Sequence, residues 1–217
     1  MKTRILHADE PTTLDLAARL IQAGQVIAAP TDTVYGLVCR VDDPQAIRRL
    51  YAVKERPAEK ALPVLLAGEE QLPQVVAELP PLARALMARF WPGPLTLVLP
   101  ARPGLPAVLT GGGATVAVRV PDHPFLRALA RRAGPLASSS ANRSGEPPAR
   151  TAQEVLAQLA GRIPLVVDGG EAPGGVASTV VDVTGPTPRI LREGPVAEQV
   201  RALLPQERRE SIPEDGP

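Results

Sequence analysis

Apolar residues recur along the chain in two rhythms. Leu14, Ala17, Ala18 and Ile21 fall at helical spacing and close on Gly24, which predicts an amphipathic helix. Pro44 opens a second helix, whose apolar positions Ile47, Leu50, Tyr51 and Val53 run into Lys54. Leu82 to Phe90 predicts a third, halted by Trp91-Pro92-Gly93-Pro94. Pro124 to Arg132 predicts a fourth, and Thr151 to Leu159 a fifth, with Thr151 and Glu154 at capping-box spacing. Short apolar runs of strand length lie between them: Val26 to Ala29, Leu62 to Ala67, Leu95 to Leu99, Leu136 to Ser138, Leu165 to Asp168, Thr179 to Val183 and Arg189 to Leu191. Thr115 to Val120 alternates, setting Val116, Val118 and Val120 against Ala117 and Arg119. Pro63 predicts an edge position for its strand, because proline cannot donate to a ladder. Irregular alternation of helices and strands predicts an α/β fold: one domain with a twisted, mixed sheet and flanking helices. Residues 1–204 read as that domain, and the charged, proline-bearing stretch 205–217 as a frayed tail.

Composition narrows the function classes. A chain of 217 residues with 44% hydrophobic positions can bury a sizeable core and is not disordered. No apolar run approaches the roughly 18 residues of a membrane span, and no secretory leader is visible, so a cytoplasmic protein is expected. Cys39 is the sole cysteine, and His7 and His123 are the only histidines, which excludes a disulfide framework and a Cys- or His-rich metal site. A formal net charge of +1 offers nucleic acid no global basic field. Beneath that balance the rarer residue types cluster. Of 24 basic residues only Lys2, Lys54 and Lys60 are lysines, and two of these fall within one seven-residue span. Asn142 is the only asparagine, and Ser138, Ser139, Ser140 and Ser144 are four of the six serines.

The familiar nucleotide and hydrolase signatures are absent. The chain has no G-x-x-x-x-G-K-[ST], no G-x-G-x-x-G and no G-x-S-x-G, and Gly111-Gly112-Gly113 reads as a flexible turn. Polar residues gather instead where strands are expected to end. Thr31, Asp32, Thr33 and Tyr35 offer two hydroxyls, a carboxylate and a phenol in one turn, enough to orient a small polar ligand or merely to cap a helix. Lys54, Arg56 and Lys60 bring three cations to a helix end, suited to a triphosphate or to C-terminal dipole pairing on a solvated face. Arg119 sits in a Val/Ala strand with Asp122 as its nearest acid in sequence, so a ligand carboxylate is expected to supply its counter-charge. Ser138 to Asn142 offers hydroxyls and backbone N–H groups for an anion nest, Ser178 and Thr179 add hydroxyls after a glycine pair, and Arg192 ends a late strand.

In this order the segments resemble the YrdC/Sua5 family of threonylcarbamoyl-AMP synthases, over about Asp15 to Val196. The resemblance rests on Pro30-Thr-Asp-Thr-Val-Tyr-Gly-Leu37, the K-x-R-P of Lys54 to Pro57, Phe90-Trp-Pro-Gly-Pro-Leu-Thr96, Val116-Ala-Val-Arg-Val-Pro121 with His123-Pro124, the S-x-N of Ser140 to Asn142, and Ser178-Thr179. It implies a YrdC-like sheet with an open, cationic concavity. It also implies adenylation of L-threonine and bicarbonate with ATP, the magnesium travelling with the nucleotide, as the first step of a tRNA modification beside the anticodon. The product would pass to a threonylcarbamoyl-transferase machinery. Threonine contacts are implied for Thr33, Arg119, Ser138 and Ser178, and ATP contacts for Arg56, Lys60, Thr115, Ser140, Asn142 and Arg192. Lys54 and Arg56 are the implied catalytic cations, and no metal held by the chain is implied. Position 65 departs from the longer members, carrying Leu where they often carry His, and the chain resembles the short form. Two other readings remain open at this stage: a YciO-like paralogue acting on another adenylate or carbamate, and a non-catalytic module with weak RNA binding.

Overall fold

The computed structural model describes residues 2–55 and 60–204. Ten strands form one mixed sheet among these residues. The strands are β1 (Arg4–His7), β2 (Ile27–Ala29), β3 (Gly36–Arg40), β4 (Val64–Leu65), β5 (Leu95–Pro100), β6 (Thr115–Arg119), β7 (Leu136–Ser140), β8 (Leu165–Asp168), β9 (Thr179–Asp182) and β10 (Arg189–Arg192). Their order across the sheet is β1-β8-β2-β3-β7-β4-β6-β5-β9-β10. The pairs β1–β8, β2–β8, β4–β6 and β5–β9 are parallel and the rest antiparallel. The helices are α1 (Thr13–Gln22), α2 (Pro44–Lys54), α3 (Pro81–Phe90), α4 (Ala107–Thr110), α5 (Pro124–Ala133), α6 (Ala152–Leu159) and α7 (Ala197–Arg201). None is long and apolar enough to cross a membrane.

Local chemistry explains the helix ends. The Asp43 carboxylate accepts N–H bonds from Gln45 and Ala46 at 2.8 and 3.1 Å, starting α2 with Pro44 in its first turn. Thr151 caps α6 by accepting from the Glu154 N–H at 3.2 Å. The returning bond of the expected capping box falls one residue early: Glu154 accepts from the Arg150 N–H at 2.6 Å.

Alternation along the strands divides the core into two layers. Leu37, Val64, Leu97, Val118 and Ala137 face one way, against Ile47 and Leu50 of α2, Leu86 and Met87 of α3, and Val155 and Leu159 of α6. Ile27, Val38, Leu65, Leu136 and Val167 face the other way, against Ala17 and Ile21 of α1 and Leu126 and Leu129 of α5. On this second face α1 and α5 cover only part of the sheet. Where they stop, the inward positions turn polar, at Ser138, Arg119 and Thr96. That change of residue type makes the site.

Two expectations are corrected. The segment around Pro63 forms only the two-residue β4, and it lies inside the sheet between β7 and β6, not at an edge. Pro63 is accommodated because its carbonyl, which needs no N–H, accepts from Ser138 at 2.8 Å. The serine cluster is strand rather than turn: β7 runs through Ser140, and the chain turns only at Ala141 and Asn142. The hydroxyls of Ser138 and Ser140 therefore stand on one face of the sheet, two residues apart.

Candidate active site

A cavity of about 250 Å³ opens on the uncovered part of the sheet, among Thr33, Thr96, Arg119, Ser138, Ser178 and Arg192. Arg119 ends β6 with only 5% of its surface exposed. Its Nε donates to the Gly93 carbonyl at 2.9 Å and its Nη1 to Thr33 Oγ1 at 3.0 Å. Its Nη2 forms a charged bond to Asp32 Oδ1 at 2.5 Å. Asp32, from the turn before β3, thus supplies the counter-charge expected from a ligand carboxylate, and Asp122, the nearest acid in sequence, does not. Sequence distance hid this partner, because the sheet brings position 32 to position 119. Burial lowers the Arg119 pKa, and the charge and hydrogen bond of Asp32 oppose that effect. Asp32 Oδ2 is buried with no hydrogen-bond partner among the described residues.

The neighbouring hydroxyls are closely bonded. Thr31 Oγ1 donates to the Val34 carbonyl at 2.7 Å, accepts from the Thr33 and Val34 N–H groups at 3.0 and 3.2 Å, and lies 2.9 Å from Thr33 Oγ1, a contact in which either hydroxyl could donate. Arg192 reaches across from β10, its Nε donating to the Ser178 carbonyl at 2.9 Å and its Nη2 to Ser178 Oγ at 3.1 Å. Ser178 Oγ also shares a 2.7 Å bond with Thr96 Oγ1, whose part in the site sequence reasoning missed. Arg192 makes no ion pair among the described residues, and its pKa is lowered first by burial and then by the Arg119 charge. Two guanidiniums against one carboxylate leave the cavity with an excess positive charge.

A second recess, of about 240 Å³, adjoins the first and shares Ser140 with it. Lys54, Lys60, Asn142 and Ser144 line it. Lys54 is 4% exposed, and its ammonium is turned towards the turn after β7. It donates to the Ser140 carbonyl at 2.7 Å, Ser140 Oγ at 3.1 Å, the Asn142 carbonyl at 2.8 Å and Asn142 Oδ1 at 3.0 Å. Asn142 completes that turn by donating from Nδ2 to the carbonyls of Arg143 and Glu146. Lys54 is therefore a buried part of the recess wall, unlike the solvated helix-end cation that stood as the alternative to a phosphate role. Lys60 is exposed at its mouth. Arg56 lies outside the described residues. Thr115 lines neither recess, but it shares the Ala117–Arg119 face of β6, at the far end of the strand from Arg119. Leu65 lines the first cavity and presents no polar group there.

The loops around the site interlock closely. A Cβ on Gly174 would stand 2.7 Å from the Asp32 carbonyl oxygen and 2.9 Å from Thr33 Cα, so only glycine lets the 170–178 loop lie against this turn. Tyr35 secures the start of the same loop: its phenol donates to the Gly170 carbonyl at 2.7 Å and accepts from the Gly169 N–H at 3.1 Å.

Comparison with known proteins bears on this architecture. The sequence profile of the Sua5/YciO/YrdC family, described as telomere recombination, matches residues 19–194. The chain belongs to the Sua5/YciO/YrdC family. It is 44% identical over 186 residues to the threonylcarbamoyl-AMP synthase of Pyrococcus abyssi, covering 85% of this chain and 55% of that protein. This chain thus spans about half the length of that relative, and the same holds for the Bacillus subtilis threonylcarbamoyl-AMP synthase, 43% identical over 191 residues and also covered over 55%. The crystal structure of Pyrococcus abyssi Sua5 complexed with L-threonine superposes with a TM-score of 0.89 at 41% identity, over 93% of this chain and 61% of the other.

Proposed function

We propose that this family member makes threonylcarbamoyl-AMP: L-threonine, bicarbonate and ATP give the adenylate, pyrophosphate and water. The observation that carries the reading is the pair of adjoining recesses meeting at Ser140, one with excess positive charge and a ring of hydroxyls, the other lined by lysines. An amino acid suits the first. Its carboxylate takes the spare N–H groups of Arg119, and its amine faces the Thr33 hydroxyl. Ser138, and Ser178 held by Arg192, close the same pocket round the threonine side chain. A nucleoside triphosphate suits the second. Lys60 and Arg56 meet its phosphates, Ser140 and Asn142 form the wall, and Arg192, from the first cavity, and Thr115, further along β6, are the remaining nucleotide contacts.

Catalysis in this arrangement needs positioning and charge stabilisation, with no covalent nucleophile on the chain. The threonine amine bonds to the bicarbonate carbon with loss of water. A carbamate oxygen then bonds to the α-phosphorus as the bond to pyrophosphate breaks, with the cations of the second recess balancing the departing charge. Magnesium arrives with ATP as part of the substrate. Among the described residues no group of three or more His, Cys, Asp or Glu could hold an ion. We further propose that the work is cytoplasmic, that the product passes to a threonylcarbamoyl transferase acting on tRNA, and that residues 1–204 act as one catalytic domain.

Pyrophosphate release tests the reading. Release that requires threonine and bicarbonate together supports it. Equal release without threonine overturns it and favours a YciO-like paralogue with another substrate, and no release with retained RNA binding favours a binding module.

A further inference from the structure

Glu55 stands between Lys54 and Arg56, and its backbone is unusual. At φ 55° and ψ 43° it is the one non-glycine residue with positive φ among those described. That left-handed conformation closes the C-terminus of α2, a place where glycine is the usual occupant because a Cβ is crowded there. The side chain that accepts this strain is fully engaged. Glu55 Oε2 takes bonds from Arg143 Nε at 3.2 Å and Nη2 at 2.8 Å, and Oε1 pairs with Arg162 Nη1 at 2.6 Å. Arg143 follows Asn142 directly, and Arg162 lies beyond α6. One turn of chain beside this clasp, the Lys54 carbonyl accepts from the Ser144 N–H at 2.8 Å. Both walls of the second recess are therefore tied together from behind, outside the recess itself.

We infer that Glu55 is a positioning residue, whose carboxylate clasps Arg143 and Arg162 so that the end of α2 and the Asn142 turn keep the spacing that receives the nucleotide phosphates. This rests on the reading of the second recess as the phosphate site. Hydrogen bonds from Arg143 and then Arg162 hold the Glu55 carboxyl below its ordinary pKa, so the clasp is charged at neutral pH.

Two variants separate the clasp from the strain. Glu55→Gly adopts positive φ freely and lacks the carboxylate, whereas Glu55→Gln keeps the Cβ and lacks only the charge. Both are expected to raise KM for ATP about 3- to 10-fold, as two partly exposed ion pairs warrant, with kcat and KM for threonine held within about twofold. Glu55→Gly should melt at or above the wild-type temperature and Glu55→Gln below it. Hydrogen exchange of the Ser144 amide should quicken in both, a readout that needs no substrate. An unchanged KM for ATP in both variants overturns the positioning role, even where exchange quickens. A wild-type chain that never consumes ATP sinks the functional reading instead, and the clasp then stands or falls on the Ser144 exchange alone.

Discussion

Arg119 Nη2 and Asp32 Oδ1 meet at 2.5 Å, across 87 positions of sequence, where Arg119 lines the first cavity. The pair joins the turn before β3 to the end of β6, and it holds Arg119 with its spare N–H groups towards a ligand. Removing one member of a buried pair leaves the other uncompensated, at a cost of about 3–5 kcal/mol.

Arg119→Gln is therefore expected to act twice. Isothermal calorimetry should show threonine affinity falling about 10- to 150-fold, the loss of one to two charge-assisted bonds, while ATP affinity stays within a few-fold. Denaturant unfolding should show a loss of stability as well, because Asp32 is left buried and unpaired. Asp32→Asn should reproduce the threonine defect in weaker form, since the amide oxygen still accepts from Arg119. Equal losses for ATP and threonine in Arg119→Gln would make this residue a phosphate ligand or a purely structural ion-pair member.

Lys54 gives the second prediction. Its ammonium satisfies backbone and side-chain oxygens of Ser140 and Asn142, so Lys54→Met strands buried acceptors at about 1–3 kcal/mol. The midpoint of unfolding should drop and KM for ATP should rise together. Lys54→Arg should fail to restore either, because a planar fork does not reproduce the convergence of four acceptors on one point. Wild-type stability in Lys54→Met would return Lys54 to the role of a solvated cation.

How far the sequence carried this picture differs by element. Helices with a clear apolar face and a capping residue, such as α2 and α6, were legible within a residue or two, because their signals are local. The Val/Ala alternation of β6 correctly put Arg119 opposite Val118 in the strand. What could not be read depends on which strands become neighbours. Pro63 looked like an edge marker until β7 supplied a donor to its carbonyl, and β3 went unread because Gly36 to Arg40 follows a polar turn and carries no alternation. The partners of Arg119 and Lys54 were out of reach for the same reason: Asp32, Ser140 and Asn142 are adjacent to them only through the sheet.

Tyr35 gives a prediction in pH. Burial first, reinforced by the Asp168 charge against the opposing Gly169 hydrogen bond, pushes its phenol up to about 12 from an ordinary value of 10.0. A phenol whose folded pKa is raised favours the protonated fold. Its contribution is fully present below about pH 10 and is lost as the pH rises through 12, on the order of 2 kcal/mol in all. Stability of the wild-type chain should therefore fall more steeply over that window than stability of Tyr35→Phe, which starts lower for want of the bonds to Gly169 and Gly170. Parallel pH profiles for the two would show that Tyr35 ionises as freely in the fold as outside it.

The most direct test of the central claim follows carbon into the product. The chain is incubated with ATP, L-threonine and ¹³C-bicarbonate, and the adenylate is weighed by mass spectrometry at once. The account predicts a species with the mass of threonylcarbamoyl-AMP carrying one ¹³C, absent when threonine or bicarbonate is withheld and reduced in Arg119→Gln at limiting threonine. An adenylate that forms equally without bicarbonate, or one that carries no ¹³C, would contradict it.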